Sequence, residues 1–433
     1  MKKLLLSLAA LFVMLPACTK SDAGGSKEDY MRLTWWGNTV RDERTLKTVQ
    51  LYQSANPGVT IETETTGWAG YWDKLNTQAS AGNLPDLIQH DYAYIMQWAN
   101  RNQLLDLTPY TQNGVLDVSQ IPDESLSAGQ LNGKLYGISM GTNAMGMAYD
   151  PAVLEKAGIG IPDSAAWTLK DFENIALTVY RNTGVKTLPL GTTDVKVVFE
   201  MFLRQSGASF YAPDGKKLGF SDPELLKEYW DLQLRLLDAG ALIPADEAFI
   251  TVSIEEDSFS KGQSWVQYIW SNQIAATANG AKRPIGMLLF PSIDNAKREG
   301  TYLKPSMFFS IAAKAENPDL AAKVFNFFLN DFGANDILLA ERGVPAPENV
   351  RSYLFPKMDA NMKLSFDFVS LAAANSSNID APDPAANGEI LALLRDTAQQ
   401  VLNKSVSSSE GAVRFITRAN QILGLSNTKN AGR

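Results

Sequence analysis

The sequence predicts an α/β protein of two domains. Strand and helix patterns alternate from Met31 to Tyr92, which is the signature of a sheet covered by helices. The chain has 433 residues, and a folded body of roughly 400 residues is too large for a single core. Apolar residues make up 45% of the chain, enough to fill two cores.

Each element follows from local chemistry. Met31-Arg32-Leu33-Thr34-Trp35-Trp36 alternates and ends at Gly37-Asn38, a strand running into a turn. Asp42 is placed to cap a helix carrying Leu46, Val49 and Tyr52, which Asn56-Pro57-Gly58 stops. Val59 to Glu64 reads as a second strand, and Trp72, Leu75 and Ala79 share one face of the next helix. Leu84-Pro85-Asp86-Leu87-Ile88-Gln89 then leads as a third strand into His90-Asp91-Tyr92. Strand, helix, strand, helix, strand makes a parallel sheet.

Asn132-Gly133 is a two-residue hairpin signal. Thr168 with Asp171 forms a capping box, and Asp222-Pro223 sets a cap and a first-turn proline ahead of Leu225 to Leu237. Ser264 to Ile269 and Ile285 to Phe290 suit buried strands, and Asn317-Pro318 opens a helix through Val324, Phe327 and Phe328.

The N-terminus sets the expected compartment. Lys2 and Lys3 precede an apolar run from Leu4 to Leu15. About a dozen residues fall short of the roughly 20 that span a bilayer but suit a signal peptide. Leu15-Pro16-Ala17-Cys18 resembles a bacterial lipobox, which implies a leader over 1–17 and lipidation of Cys18. Residues 18–29 then form a tether rich in Ser and Gly. Losing the leader removes two lysines and no acids, taking the formal charge from −8 to near −10. A pI near 5.0 argues against nucleic acid as a partner. One cysteine and one histidine exclude an internal disulfide and a multi-histidine metal site.

Six landmarks in order resemble the family 1 extracellular solute-binding proteins of carbohydrate ABC importers. They are Asn76 to Leu87 (NTQASAGNLPDL), Gly133 to Ser139 (GKLYGIS), Met147 to Ile159 (MAYDPAVLEKAGI) with Trp167, Phe259 to Ser264, Ile311 to Leu329, and Gly343 to Ala346. Within that family, Leu84 to Asp91, Asn102 to Tyr110, Leu303 to Met307 and Glu341 to Pro345 look like lipoproteins serving rhamnogalacturonan, a pectin.

The resemblance implies a two-lobe periplasmic-binding-protein fold of type II, like maltose-binding protein. The N-terminal lobe would hold 30–140 plus 303–345, and the C-terminal lobe 141–302 plus 346–433. Chain crossings are expected near Ser139 to Met147, Tyr302 to Ser310 and Gly343 to Pro347. It further implies an oligosaccharide ligand, permease subunits as partners, a membrane anchor at Cys18, a monomer, no cofactor and no enzymatic activity.

Candidate ligand residues follow from chemistry. In α/β sheets ligands sit beyond the carboxyl ends of strands, and sugars need flat aromatic faces beside paired hydrogen-bonding groups. Trp36 ends the first strand on the face opposite Leu33 and Trp35, and Trp68 and Tyr71 stand on the loop after the second. His90 and Asp91 end the third strand; His90 either binds a hydroxyl or carboxylate or braces the loop. Asn143 lies at the first crossing, in the cleft or only in the hinge. Trp270 and Asn272 follow the strand containing Trp265, which is expected beneath the sheet, as Trp72 is expected in a core. Lys304 at the second crossing, with Arg204 or Arg342, is suited to a uronate; otherwise Lys304 is a solvated loop lysine.

The rival class is a secreted glycosidase, which needs two carboxylates across a cleft. With 47 acidic residues such a pair arises by chance, but the chain has no G-x-S-x-G, H-E-x-x-H or P-loop motif. A sensor or adhesin on the same fold stays open at this level.

Overall fold

The computed structural model describes residues 29–431 apart from Asn38, Thr193 and Thr251. The expected leader, Cys18 and the tether through residue 28 lie outside the described residues.

Thirteen strands are described: β1 Tyr30–Trp36, β2 Thr60–Thr66, β3 Leu87–His90, β4 Gln130–Leu131, β5 Lys134–Leu135, β6 Ile138–Ser139, β7 Gly141–Asn143, β8 Met145–Tyr149, β9 Val266–Trp270, β10 Gly286–Leu288, β11 Lys304–Pro305, β12 Phe308–Ile311 and β13 Val344–Pro345. One sheet has the order β2-β1-β3-β12-β6. β1 pairs parallel with β2 and β3, because helices Thr39–Ala55 and Trp68–Ser80 carry the chain back between them. β12 runs antiparallel between β3 and β6. A second sheet, β10-β8-β9, is antiparallel.

Between the two sheets lies a third, β11-β7-β13. It joins the three segments where the chain passes from one body to the other. The approach is tight: a Cβ on Gly141 would stand 2.2 Å from the Arg342 carbonyl oxygen, so only glycine fits that crossing. One core gathers residues from Met31 to Met140 and from Met307 to Ala346; the largest runs from Met145 to Tyr302 and returns with Ile390 to Leu423.

The caps form where their sequences place them. Thr168 and Asp171 exchange both capping-box hydrogen bonds, and Asp222 and Asn317 accept from the first-turn amides of Glu224 and Leu320. Asn132 and Gly133 both take positive φ in the β4–β5 turn. Trp265 is fully buried and donates to Thr187, as expected of a ring beneath the sheet.

Asp42 is a correction. The helix begins at Thr39, and the Asp42 carboxylate accepts instead from the Trp35 indole at 2.7 Å and the Thr65 hydroxyl at 2.8 Å. A buried indole N–H needs an acceptor, and that need outweighs a cap. On this helix Val49 and Tyr52 are buried and Leu46 is exposed.

Candidate functional site

β1, β2 and β3 are parallel, so Trp36, Thr66 and His90 end at the same edge of the sheet. Register brings the crossings to that edge. Phe308 at the start of β12 faces His90, and Asn143 pairs with Lys304. In the other lobe Trp270 ends β9 opposite Met145, two residues beyond Asn143. Trp270 and Lys304 therefore meet, with the ammonium 4.7 Å from the centre of the indole ring.

A cavity of about 280 Å³ opens here and draws on both lobes and the crossing. Asp91, Tyr92 and Ala93 line it from the N-terminal lobe. Asp194, Lys196, Val197 and Glu200 face them from the other lobe, and Tyr302 and Lys304 form the crossing side. Ile379, Asp380 and Asp383 come from a strap between helices Ala360–Ala374 and Asn387–Leu402. A larger cavity of about 480 Å³ lies between helices of the C-terminal lobe and takes no residue from the first, so it cannot sense both lobes at once.

The strap is held by charge. Arg204 is fully buried and donates to the carbonyls of Gly300, Ser377 and Asn378 and to the Ser377 hydroxyl. Its guanidinium pairs with Asp380 at 2.9 Å, and Arg298 reaches the same carboxylate at 3.1 Å. Lys196 bridges Glu200 at 3.1 Å and Asp383 at 2.8 Å. Burial would lower the Lys196 pKa, but the two carboxylates outweigh it and hold it above its usual range. Burial raises Glu200, opposed by Lys196. Burial also raises Asp91, offset in part by the Ala93 amide and by Lys304. Across the cleft the Tyr92 hydroxyl donates to the Asp380 carbonyl, and Ile379 packs against the cores of both lobes.

Among the residues expected at the site, Asp91 and Lys304 line the cavity and Trp270 stands beside it, half-buried. Asn143 is half-buried in the hinge sheet, where its side-chain oxygen accepts from Ser271, and Asn272 is exposed just beyond Trp270. Trp68 is 46% exposed and forms the open face of an aromatic group with Trp36, Trp72 and Tyr94. Trp72 is only partly buried there and packs against Tyr94, tilted by 33° at 4.1 Å between centroids.

Five expectations are corrected by burial. Trp36 is 9% exposed and packs under Trp68 and Tyr71, and Tyr71 is fully buried with its hydroxyl on the Gln89 carbonyl. Arg204 is occupied by the strap. Arg342 turns into the N-terminal lobe, donating to Gln89 and Thr45 beside the Phe309 ring, and burial lowers its pKa to about 10. His90 faces inward between Trp72 and Trp98, because β3 is buried on both faces.

His90 carries a prediction. Both ring nitrogens are buried without a well-formed hydrogen bond among the described residues, and burial, opposed only in part by the Ile88 backbone, lowers its pKa to about 3. The unfolded chain titrates near 6.5, so below that pH it binds a proton that the native state refuses. The stabilisation is complete above pH 6.5 and is lost as pH falls, by about 1.4 kcal/mol per unit. Urea unfolding at pH 6.5 and 5.5 should show this loss in the wild type and not in His90→Leu. Equal pH dependence in both would place the loss elsewhere.

Asp194, Lys196, Glu200, Tyr92 and the strap were not singled out from sequence. Gly191-Thr192-Thr193-Asp194 did hold a signal, a turn followed by an N-cap, and Asp194 indeed accepts from the Val197 amide. The strap reads locally as a loop of Ser, Asn, Asp and Pro, and nothing in it announces a cleft wall.

The profile of the family described as "Bacterial extracellular solute-binding protein" matches residues 47–363, well over half of the chain. A solved structure, an extracellular solute-binding protein family 1 member from Alicyclobacillus acidocaldarius subsp. acidocaldarius DSM 446, is 29% identical with a TM-score of 0.84, covering 91% of this chain and 98% of that one. The periplasmic oligogalacturonide-binding protein of Yersinia enterocolitica is 22% identical with a TM-score of 0.75, over 91% of this chain and 98% of that one, a likeness of fold. The arabinooligosaccharide-binding protein of Bacillus subtilis (strain 168) is 23% identical over 227 residues, 50% of this chain and 51% of its own length. The chain spans about half or less of the length of the first curated relatives it matches.

Proposed function

The chain belongs to the bacterial extracellular solute-binding protein family, and from that membership we propose that it is the oligosaccharide receptor of an ABC importer. It closes its lobes on a sugar and presents the closed form to a membrane permease, held at the membrane by lipid on Cys18. The observation that carries this reading is the cavity shared by both lobes, lined by carboxylates and by Lys304, whose ammonium lies over the neighbouring Trp270 ring. A pyranose offers one apolar C–H face to such a ring and vicinal hydroxyls to such oxygens. A ligand touching both lobes favours the closed state by its differential affinity for that state. The named relatives that bind sugars are binding proteins, which agrees with a receptor and not with a glycosidase.

The finer reading is a pectin-derived ligand bearing a uronate. It is supported by the resemblance over Leu84 to Asp91 and Leu303 to Met307, and by Lys304, which is exposed at the crossing and faces the cavity. The likeness of fold to an oligogalacturonide-binding protein is compatible with it.

The test is a thermal-shift screen of the folded body against neutral and acidic oligosaccharides. A ligand at 100 times its Kd adds about 2.7 kcal/mol and raises the melting temperature by several degrees. No shift across a broad panel would count against an oligosaccharide receptor.

A further inference from the structure

The charge around the cavity restricts which acidic sugars it can take; the argument rests on the receptor reading above. Five carboxylates line the space, those of Asp91, Asp194, Glu200, Asp380 and Asp383, against two lysines. Lys196 is already shared between Glu200 at 3.1 Å and Asp383 at 2.8 Å. Behind the wall, Arg204 and Arg298 both spend their charge on Asp380, at 2.9 Å and 3.1 Å.

Lys304 differs. It is exposed, lies over the Trp270 ring at 4.7 Å, and makes no ion pair within 4.0 Å among the described residues. Its field reaches Asp91 across the cleft. An anionic group entering here therefore meets one available cation on an aromatic platform. Elsewhere the cations are already paired, and the carboxylates of Asp91 and Asp194 carry no ion pair among the described residues, so a second anionic group in this partly desolvated cleft meets repulsion.

We propose that the cavity takes an oligosaccharide with a single carboxylate, held by Lys304, with uncharged units on either side, and discriminates against polyuronates. The neutral units fit the remaining lining. Asp91 offers acceptor oxygens for hydroxyls, and the Asp380 wall cannot be recharged without dismantling its clamp of arginines.

The experiment is calorimetric titration of the wild type and Lys304→Met at low salt. The probes are a neutral trisaccharide, a matched trisaccharide with one galacturonate, and trigalacturonate. Met keeps the apolar stem over Trp270 and removes only the charge. The singly charged probe should bind wild type at least about tenfold more tightly than trigalacturonate, and Lys304→Met should weaken that probe about tenfold more than it weakens the neutral one. Trigalacturonate binding as tightly as the singly charged probe would overturn the inference. So would a Lys304→Met variant that weakens all three alike, or one that weakens none. In those cases the receptor reading survives, because sugars still bind. Absence of binding by all three probes overturns the inference together with the reading it rests on.

Discussion

Replacing Arg204 with methionine should cost on the order of 3 kcal/mol of stability, the lower end of the range for breaking a buried ion pair. The lower end applies because Asp380 keeps Arg298. The guanidinium is fully buried and gathers three carbonyls, one hydroxyl and one carboxylate. Methionine can keep the contact with the Tyr302 ring, which the guanidinium carbon now approaches at 4.9 Å, but it satisfies none of those oxygens. The melting temperature should therefore fall by several degrees.

Arg204 acts through the strap and touches no cavity volume itself, so a second readout separates its role from general packing. If it positions the cavity wall, sugar affinity measured well below the melting temperature should fall as well, because Asp380 and Ile379 lose their fixed place. A variant that melts as the wild type does would show that the strap is held by other contacts. A variant that melts lower but binds sugar unchanged would confine Arg204 to stability.

Trp270→Ala should weaken the oligosaccharide that gives the largest thermal shift by about 2 kcal/mol, roughly 30-fold, the scale of an aromatic anchor. The indole is half-buried and packs against the core of the C-terminal lobe. It meets Tyr302 edge-on at 6.3 Å between centroids and carries Lys304 above it. Alanine removes the platform and leaves the ammonium without its ring. Calorimetric titration of a well-folded variant decides the matter, and an unchanged Kd would take Trp270 out of the site.

The helix caps, the hairpin turn and the buried strand under Trp265 were legible because each depends on neighbours a few residues away. Asp42 was misread for the same reason in reverse. Its local position suits a cap, yet a tryptophan seven residues earlier and a threonine on the next strand compete for the same oxygens. The aromatic residues at strand ends were legible as a set, but alternation alone could not say that Trp36 would be covered by Trp68.

The charged candidates separate most clearly. Lys304, Arg204 and Arg342 look alike in sequence, each a cation near a crossing or on a helix. Only the folded chain shows that Arg204 closes on a strap more than 170 residues away. The same holds for Arg342, which closes on Gln89 and Thr45, leaving Lys304 to face the cavity.

By itself the sequence determined the α/β class, the elements that caps and periodicity mark, and the resemblance to the family, because periodicity, caps and ordered landmarks are local properties of the chain. Which lysine or arginine faces the cavity, and which acids are already neutralised, was decided only by tertiary structure. Ion pairing and burial depend on distances between segments far apart in sequence, and no local pattern encodes those distances.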